Sequence, residues 1–149
     1  MLKLTILLIR LTSSEAYHTT FQMHGQDDFY AEATYTSFRL ISPANFRLHI
    51  SGYVAAADEF ADAGDGFSVY DNVPFDDAVG SPACGAAHGN AGWYKGSGPG
   101  SCLYSNIFGQ FGPVTDYGRA LTWHQFRDKH VALKKFRWMI RPADFESET

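Results

Sequence analysis

Residues 64–113 carry neither a helical nor a strand period. They are rich in Gly, Pro, Asp and Ser, yet they hold Trp93, Tyr94, Tyr104, Phe108 and Phe111. A stretch this long without a period, inside a compact domain, is either functional or pinned by something. The regular core must therefore come from the segments on either side. Composition agrees, because 15% aromatic residues with 14 Gly favour short strands and long shaped loops. At 149 residues, 45% apolar and 19% charged, the chain reads as one folded domain rather than a disordered or highly charged tail. Twelve Lys and Arg against 16 Asp and Glu leave a net charge of −4, so no chain-wide footprint for nucleic acid exists. Two cysteines permit one disulfide at most and exclude both a cysteine-dense scaffold and an all-Cys zinc site.

The flanks are more regular. Residues 1–10 form an apolar segment with Lys3 early and Arg10 closing it, far short of the roughly 20 residues of a membrane span. Two readings stay open for it: a signal-like stretch with Ser14-Glu15-Ala16 as a small-x-small site, or a buried helix or strand. Residues 19–23 and 35–41 carry β-branched and aromatic residues, and the turn chemistry of His24-Gly25-Gln26-Asp27-Asp28 between them predicts a hairpin. Residues 46–50 alternate strictly, which puts Phe46, Leu48 and Ile50 on one face and turns His49 outward. Residues 55–63 have the composition of a short acidic helix ended by Gly64. Residues 120–126 and 133–140 read as closing strands, or as a short helix and a strand. In the second of these, Lys134, Lys135 and Arg137 alternate with Phe136 and Trp138. That basic and aromatic edge suits an acidic polymer or a solvated strand face.

Four blocks then carry a family likeness. The first runs from Leu11-Thr12-Ser13 through Tyr17 to Ala33-Thr34-Tyr35-Thr36-Ser37-Phe38-Arg39. The second is Arg47-Leu48-His49-Ile50-Ser51-Gly52-Tyr53, and the third is Gly66-Phe67-Ser68-Val69-Tyr70-Asp71-Asn72. The fourth joins Gly92-Trp93-Tyr94, Cys102, Ser105-Asn106-Ile107-Phe108-Gly109-Gln110-Phe111 and Leu133-Lys134-Lys135 to Met139-Ile140-Arg141-Pro142. In this order they resemble the C-terminal domain of the fibrinogen-related proteins, which include ficolins, tachylectins and angiopoietins. The resemblance implies an α+β fold: a twisted antiparallel sheet with short helices and a long, loop-rich ligand and calcium subdomain. It places a partial domain at residues 11–145 and a tail at 146–149. The family's earlier portion, with its first disulfide and a WLG motif, has no counterpart here, which predicts an exposed sheet edge.

The site residues follow from the same likeness. Cys84 and Cys102 flank Trp93 as the family's second disulfide does, and a bridge there would stabilise by roughly 3 kcal/mol; two reduced thiols are the alternative. Asp71 matches the first carboxylate of the family's calcium loop, whereas Val73 stands where the second belongs, leaving Asp76 or Asp77 to substitute. Calcium is then the one implied cofactor, held weakly, or the loop is simply solvated acid. The ligand pocket of sugar-binding relatives maps to Tyr94, Leu103, Tyr104, Ser105, Asn106 and Phe111, with Leu103 at the position of a histidine that those relatives use. Trp93 and Trp123 are assigned to the core. No phosphate loop, nucleophile elbow or metal-binding His pair occurs, so the chain is read as no enzyme. The resemblance implies a secreted, extracellular recognition domain with lectin-like binding of acetylated glycans on cells or microbes. Its alternative is a receptor-binding module of the same fold that reads protein surfaces. Partners are therefore glycans or cell-surface proteins, with no nucleic acid and no membrane span, and a homo-oligomer is compatible.

Overall fold

Alternation along residues 17–24 sets the middle of a sheet. The structure, a computed structural model, describes residues 2–13, 15–40, 47–54, 61–62, 75–76, 92–93, 105–111, 119–123, 126 and 132–145. Its elements are α1 (Leu2–Thr12), β1 (Tyr17–His24), β2 (Tyr30–Leu40), β3 (Leu48–Val54), β4 (Ala61–Asp62), β5 (Phe75–Asp76), β6 (Gly92–Trp93), β7 (Ser105–Asn106), β8 (Thr122–Trp123) and β9 (Lys135–Pro142). Along β1, Tyr17, Thr19, Phe21 and Met23 are buried, and the residues between them are half-buried on the other face. β2 returns antiparallel with Ala33 opposite Phe21 and Ala31 opposite Met23, small residues beside large ones. The expected hairpin turn closes by a bond from the Gly25 N–H to the Phe29 carbonyl at 2.9 Å. Asp28 takes φ 61°, a left-handed conformation that aspartate tolerates better than most residues.

One extra residue then bends the sheet. Tyr17 faces Phe38 while Thr19 faces Tyr35, so Thr36 and Ser37 together oppose His18. The bulge moves the buried set of β2 from Ala31, Ala33 and Tyr35 to Phe38 and Leu40. β3 stays in step with β2, Tyr53 opposite Tyr35 and Ile50 opposite Phe38. Gly52, between them, has φ 69°, which a side chain would resist. Leu48 and Ile50 are buried and His49 is half-exposed, as the alternation predicts; Phe46 lies outside the described residues.

The five-stranded sheet has the order β3-β2-β1-β9, with β4 also on β2. The first and last strands therefore pair in sequence-distant register, Tyr17 with Pro142 through His24 with Lys135. Among the described residues β3 and β9 are the two outer strands of this order. β4 corrects the helix expected at residues 55–63 at its residues 61 and 62; residues 55–60 and 63 lie outside the described residues. Ala61 and Asp62 lie in a strand parallel to Ala31 and Glu32. β3 covers β2 only from Thr34 onward, so the open backbone groups of β2 at residues 31 and 32 take a strand partner in place of local helix propensity. At the other end, the apolar N-terminal segment is a helix. The Thr12 hydroxyl donates to the Leu8 carbonyl at 2.9 Å and accepts the Leu40 N–H at 3.1 Å, which fastens α1 to the end of β2.

The core is aromatic. Trp123 is fully buried with its ring 5.3 Å from Phe21, and Trp138 stacks on Phe21 at 5.6 Å and meets Phe38 and Trp93 edge-on. Both Trp93 and Trp123 are core residues, as assigned from sequence. The Trp138 indole N–H donates to the Thr19 hydroxyl at 2.7 Å, and that hydroxyl donates to the Met139 carbonyl, so a buried polar pair is satisfied across β1 and β9. Two short antiparallel pairs, β5 with β6 and β7 with β8, complete the described strands.

The two glycines with close neighbours rank differently. A Cβ at Gly109 would lie 2.2 Å from the Ala120 carbonyl oxygen, which is backbone, whereas at Gly52 the obstacle is the Thr36 hydroxyl, which can rotate. Gly52→Ala is expected to lose about 1–2 kcal/mol from its left-handed backbone. Gly109→Ala should lose more, at or above the top of the roughly 1–3 kcal/mol typical of overpacking. Urea denaturation followed by tryptophan fluorescence ranks the two, and an unaltered midpoint for Gly109→Ala would contradict the close approach.

Candidate functional site

The polar face of the hairpin meets the basic alternation of β9. Because period two turns Phe21 and Met23 inward, Gln22 and His24 point to the other face. Pairing with β9 sets Arg137 beside Gln22 and Lys135 beside His24. Lys134 is drawn to the same end by its backbone N–H, which donates to the His24 carbonyl at 2.8 Å. A cavity of about 450 Å³ opens there, lined by these residues with Tyr30, Phe136 and Phe111.

The walls are held in place by side-chain contacts. The Tyr30 hydroxyl donates to Gln22 Oε1 at 3.1 Å, and Gln22 Nε2 donates to Glu32 at 2.9 Å. The rings of His24 and Tyr30 meet edge to face at 4.0 Å. Lys134 forms an ion pair with Asp28 on the hairpin turn. That hydrogen bond and the charge of Lys134 hold the Asp28 carboxyl below its ordinary value of 3.8, with smaller help from His24 and Lys135. Phe111 is 61% exposed at the rim. The cavity thus combines basic side chains, a hydrogen-bonded wall and an exposed aromatic ring, and among the described residues no group of three His, Cys, Asp or Glu could hold a metal.

Of the residues singled out from sequence, Asp71, Asp77, Cys84, Tyr94, Cys102, Leu103 and Tyr104 lie outside the described residues. The backbone of Asp76 pairs with Gly92 in β5–β6, and that of Ser105 with Trp123 in β7–β8. Asn106 is 1% exposed, opposite Thr122, so it is an interior residue, whereas Phe111 is on the surface. The cavity with Phe111 does not contain Asn106. Gln22, His24 and Tyr30 were not candidates from the sequence. Their signal was the parity of the first strand, which needs the pairing with the last strand before it means anything.

The family described as "Fibrinogen beta and gamma chains, C-terminal globular domain" matches residues 6–143. Among curated proteins, Angiopoietin-2 of Rattus norvegicus is 26% identical over 140 residues, which is 91% of this chain, and that of Mus musculus is 25% identical. The chain spans 27% of the length of these relatives. Among solved structures, the fibrinogen-like globe domain of human ANGPTL6 has a TM-score of 0.75 at 24% identity, covering 93% of this chain and 62% of that one. A lamprey fibrin D-dimer complexed with the peptide Gly-His-Arg-Pro-amide has a TM-score of 0.72 at 18% identity, covering 97% of this chain and 51% of that one. These two likenesses speak for the fold, an α+β domain built on a twisted antiparallel sheet.

The Asp28–Lys134 contact has a sign that can be checked. A carboxyl whose folded-state pKa is depressed contributes fully above its unfolded value and loses that contribution as pH falls through the lowered pKa. Lys134→Met is therefore expected to move the Asp28 pKa up toward 3.8 in a carboxyl-carbon NMR titration. An Asp28 titration identical in both proteins would mean that the ion pair is not formed in solution.

Proposed function

The protein belongs to the family of C-terminal globular domains found in the fibrinogen beta and gamma chains, and we propose that it is a non-enzymatic extracellular recognition domain that binds a protein on cell surfaces. The likeness to Angiopoietin-2 across 91% of this chain supports the protein-binding branch over the sugar-binding one. The observation that carries the reading is Phe111, a large ring left exposed at the mouth of a cavity otherwise walled by polar and basic groups. An aromatic anchor inside a polar rim is how protein-binding surfaces concentrate affinity. Calcium held by Asp71 with Asp76 or Asp77, and a Cys84–Cys102 bridge, belong to the same proposal as supports of the loop-rich part.

Binding to intact cells should fall when the cells are treated with protease and survive excess N-acetylglucosamine. Phe111→Ala should weaken it by roughly tenfold or more, the loss of an exposed aromatic anchor. Binding abolished by the sugar and untouched by protease would replace this reading with the lectin-like one.

The lectin-like reading makes its own distinction at Leu103, where sugar-binding relatives carry histidine. An acetamide buried without that partner costs roughly 1–3 kcal/mol, about ten- to a hundredfold in affinity. N-acetylglucosamine is thus expected to bind the protein weakly and Leu103→His more tightly. Calorimetric titrations giving equal affinities, or none in either protein, would show that this position is not part of a sugar site.

A further inference from the structure

On β9, Lys135, Arg137 and Arg141 share the solvent face, opposite Phe136, Trp138 and Ile140, and all three are exposed. At about 3.4 Å per residue their Cα atoms stand roughly 7 and 14 Å apart along the strand, a row of about 20 Å. None of the three has an ion-pair partner among the described residues. Asp28 is paired with Lys134, while Glu32, which lines the cavity at Arg141, accepts from Gln22 and the Thr34 hydroxyl and keeps its negative charge at that end of the row. Beside the row, β1 presents His24, Gln22, Thr20 and His18 in register with residues 135, 137, 139 and 141. The Thr20 hydroxyl bonds that of Thr34 at 2.9 Å, so the flank of the row is hydroxyl and amide. One cavity of about 450 Å³ sits at Lys135 and Arg137, and a second of about 570 Å³ sits at Arg141.

We propose that this face of β1 and β9 is a binding strip for a linear acidic polysaccharide carrying sulfate or carboxylate groups. This goes beyond the protein-binding reading: it shares the cavity at Lys135 and Arg137 with that reading, does not use Phe111, and extends along β9 to Arg141. A protein of net charge −4 repels a polyanion at long range, so attraction depends on a local row of unpaired cations. The row follows one face of a single strand, and its neighbours include groups that exchange hydrogen bonds with sugar hydroxyls. The stretch between Arg137 and Arg141 offers Gln22, Thr20 and Met139 rather than the stacking platform that single-stranded nucleic acid requires.

The probe is a fluorescently labelled heparin dodecasaccharide, followed by anisotropy at low and at physiological salt. Wild-type protein is expected to bind, more weakly as salt rises. Lys135→Glu and Arg137→Glu should each weaken binding by about tenfold or more, since each removes an attraction and adds a repulsion. Arg137→Gln, which only removes charge, should lose less. Arg10→Glu, the same charge change at an exposed position of α1 outside the strip, should bind as wild type does. The proposal is overturned if Arg137→Glu and Arg10→Glu weaken binding equally, if no variant alters it, or if the wild-type protein does not bind. It is also overturned if polyglutamate or a DNA oligonucleotide of equal charge competes as well as unlabelled heparin. Far-UV circular dichroism melts confirm that the variants being compared are folded.

Discussion

The ring of Phe21 is where the separate parts of this domain meet. It lies within 6.1 Å of Tyr35 on β2, 5.3 Å of Trp123 on β8, and 5.8 and 5.6 Å of Phe136 and Trp138 on β9. Aromatic pairs at such distances add about 0.5–1.5 kcal/mol each beyond the area they bury. Geometry is the larger consequence. A long stretch without period cannot organise itself from local propensity, and two of its rings, Trp93 and Phe108, pack against Trp138 on the regular sheet. Trp123, just beyond that stretch, packs against Phe21, and a run of backbone bonds joins the two regions: Leu121 to Gln110, Leu133 to Leu121, and Lys134 to His24. That run ends at the cavity, which is why the position of Lys134 depends on the packing of the core.

How much of this could be read beforehand depended on the range of the interaction. The hairpin was legible because its turn residues and both strands are adjacent in sequence. So was the inward face of Leu48 and Ile50, and so were the core positions of Trp93 and Trp123. The bulge at Thr36–Ser37 was not, since two polar residues in a strand look like ordinary alternation until the partner is known. The strand at Ala61–Asp62 was misread as helix because its cause lies in the unfilled edge of β2, remote in sequence. At the candidate site, the basic residues of β9 and Phe111 were visible individually. Their association with Gln22, His24 and Tyr30 required the pairing of the first and last strands, on which no local signal bears.

A half-covered sheet divides its chemistry by parity. Odd residues of β1 and even residues of β9 build the aromatic interior, and the alternating set is free to serve the surface. The same registration that seats Trp138 on Phe21 therefore lines up Arg137 with Gln22 and Lys135 with His24. A one-residue slip between β1 and β9 would expose the rings and bury the cations together, which makes the surface charge pattern as well determined as the core. This is how an acidic protein keeps a basic face: the cations are not scattered by composition but held by packing. The ion pair between Lys134 and Asp28 joins that face to the hairpin turn, and the turn orders the strand that carries the interior. The proposed recognition surface is thus set by the sheet register, with Phe111 at one end of a face that the regular strands have already aligned.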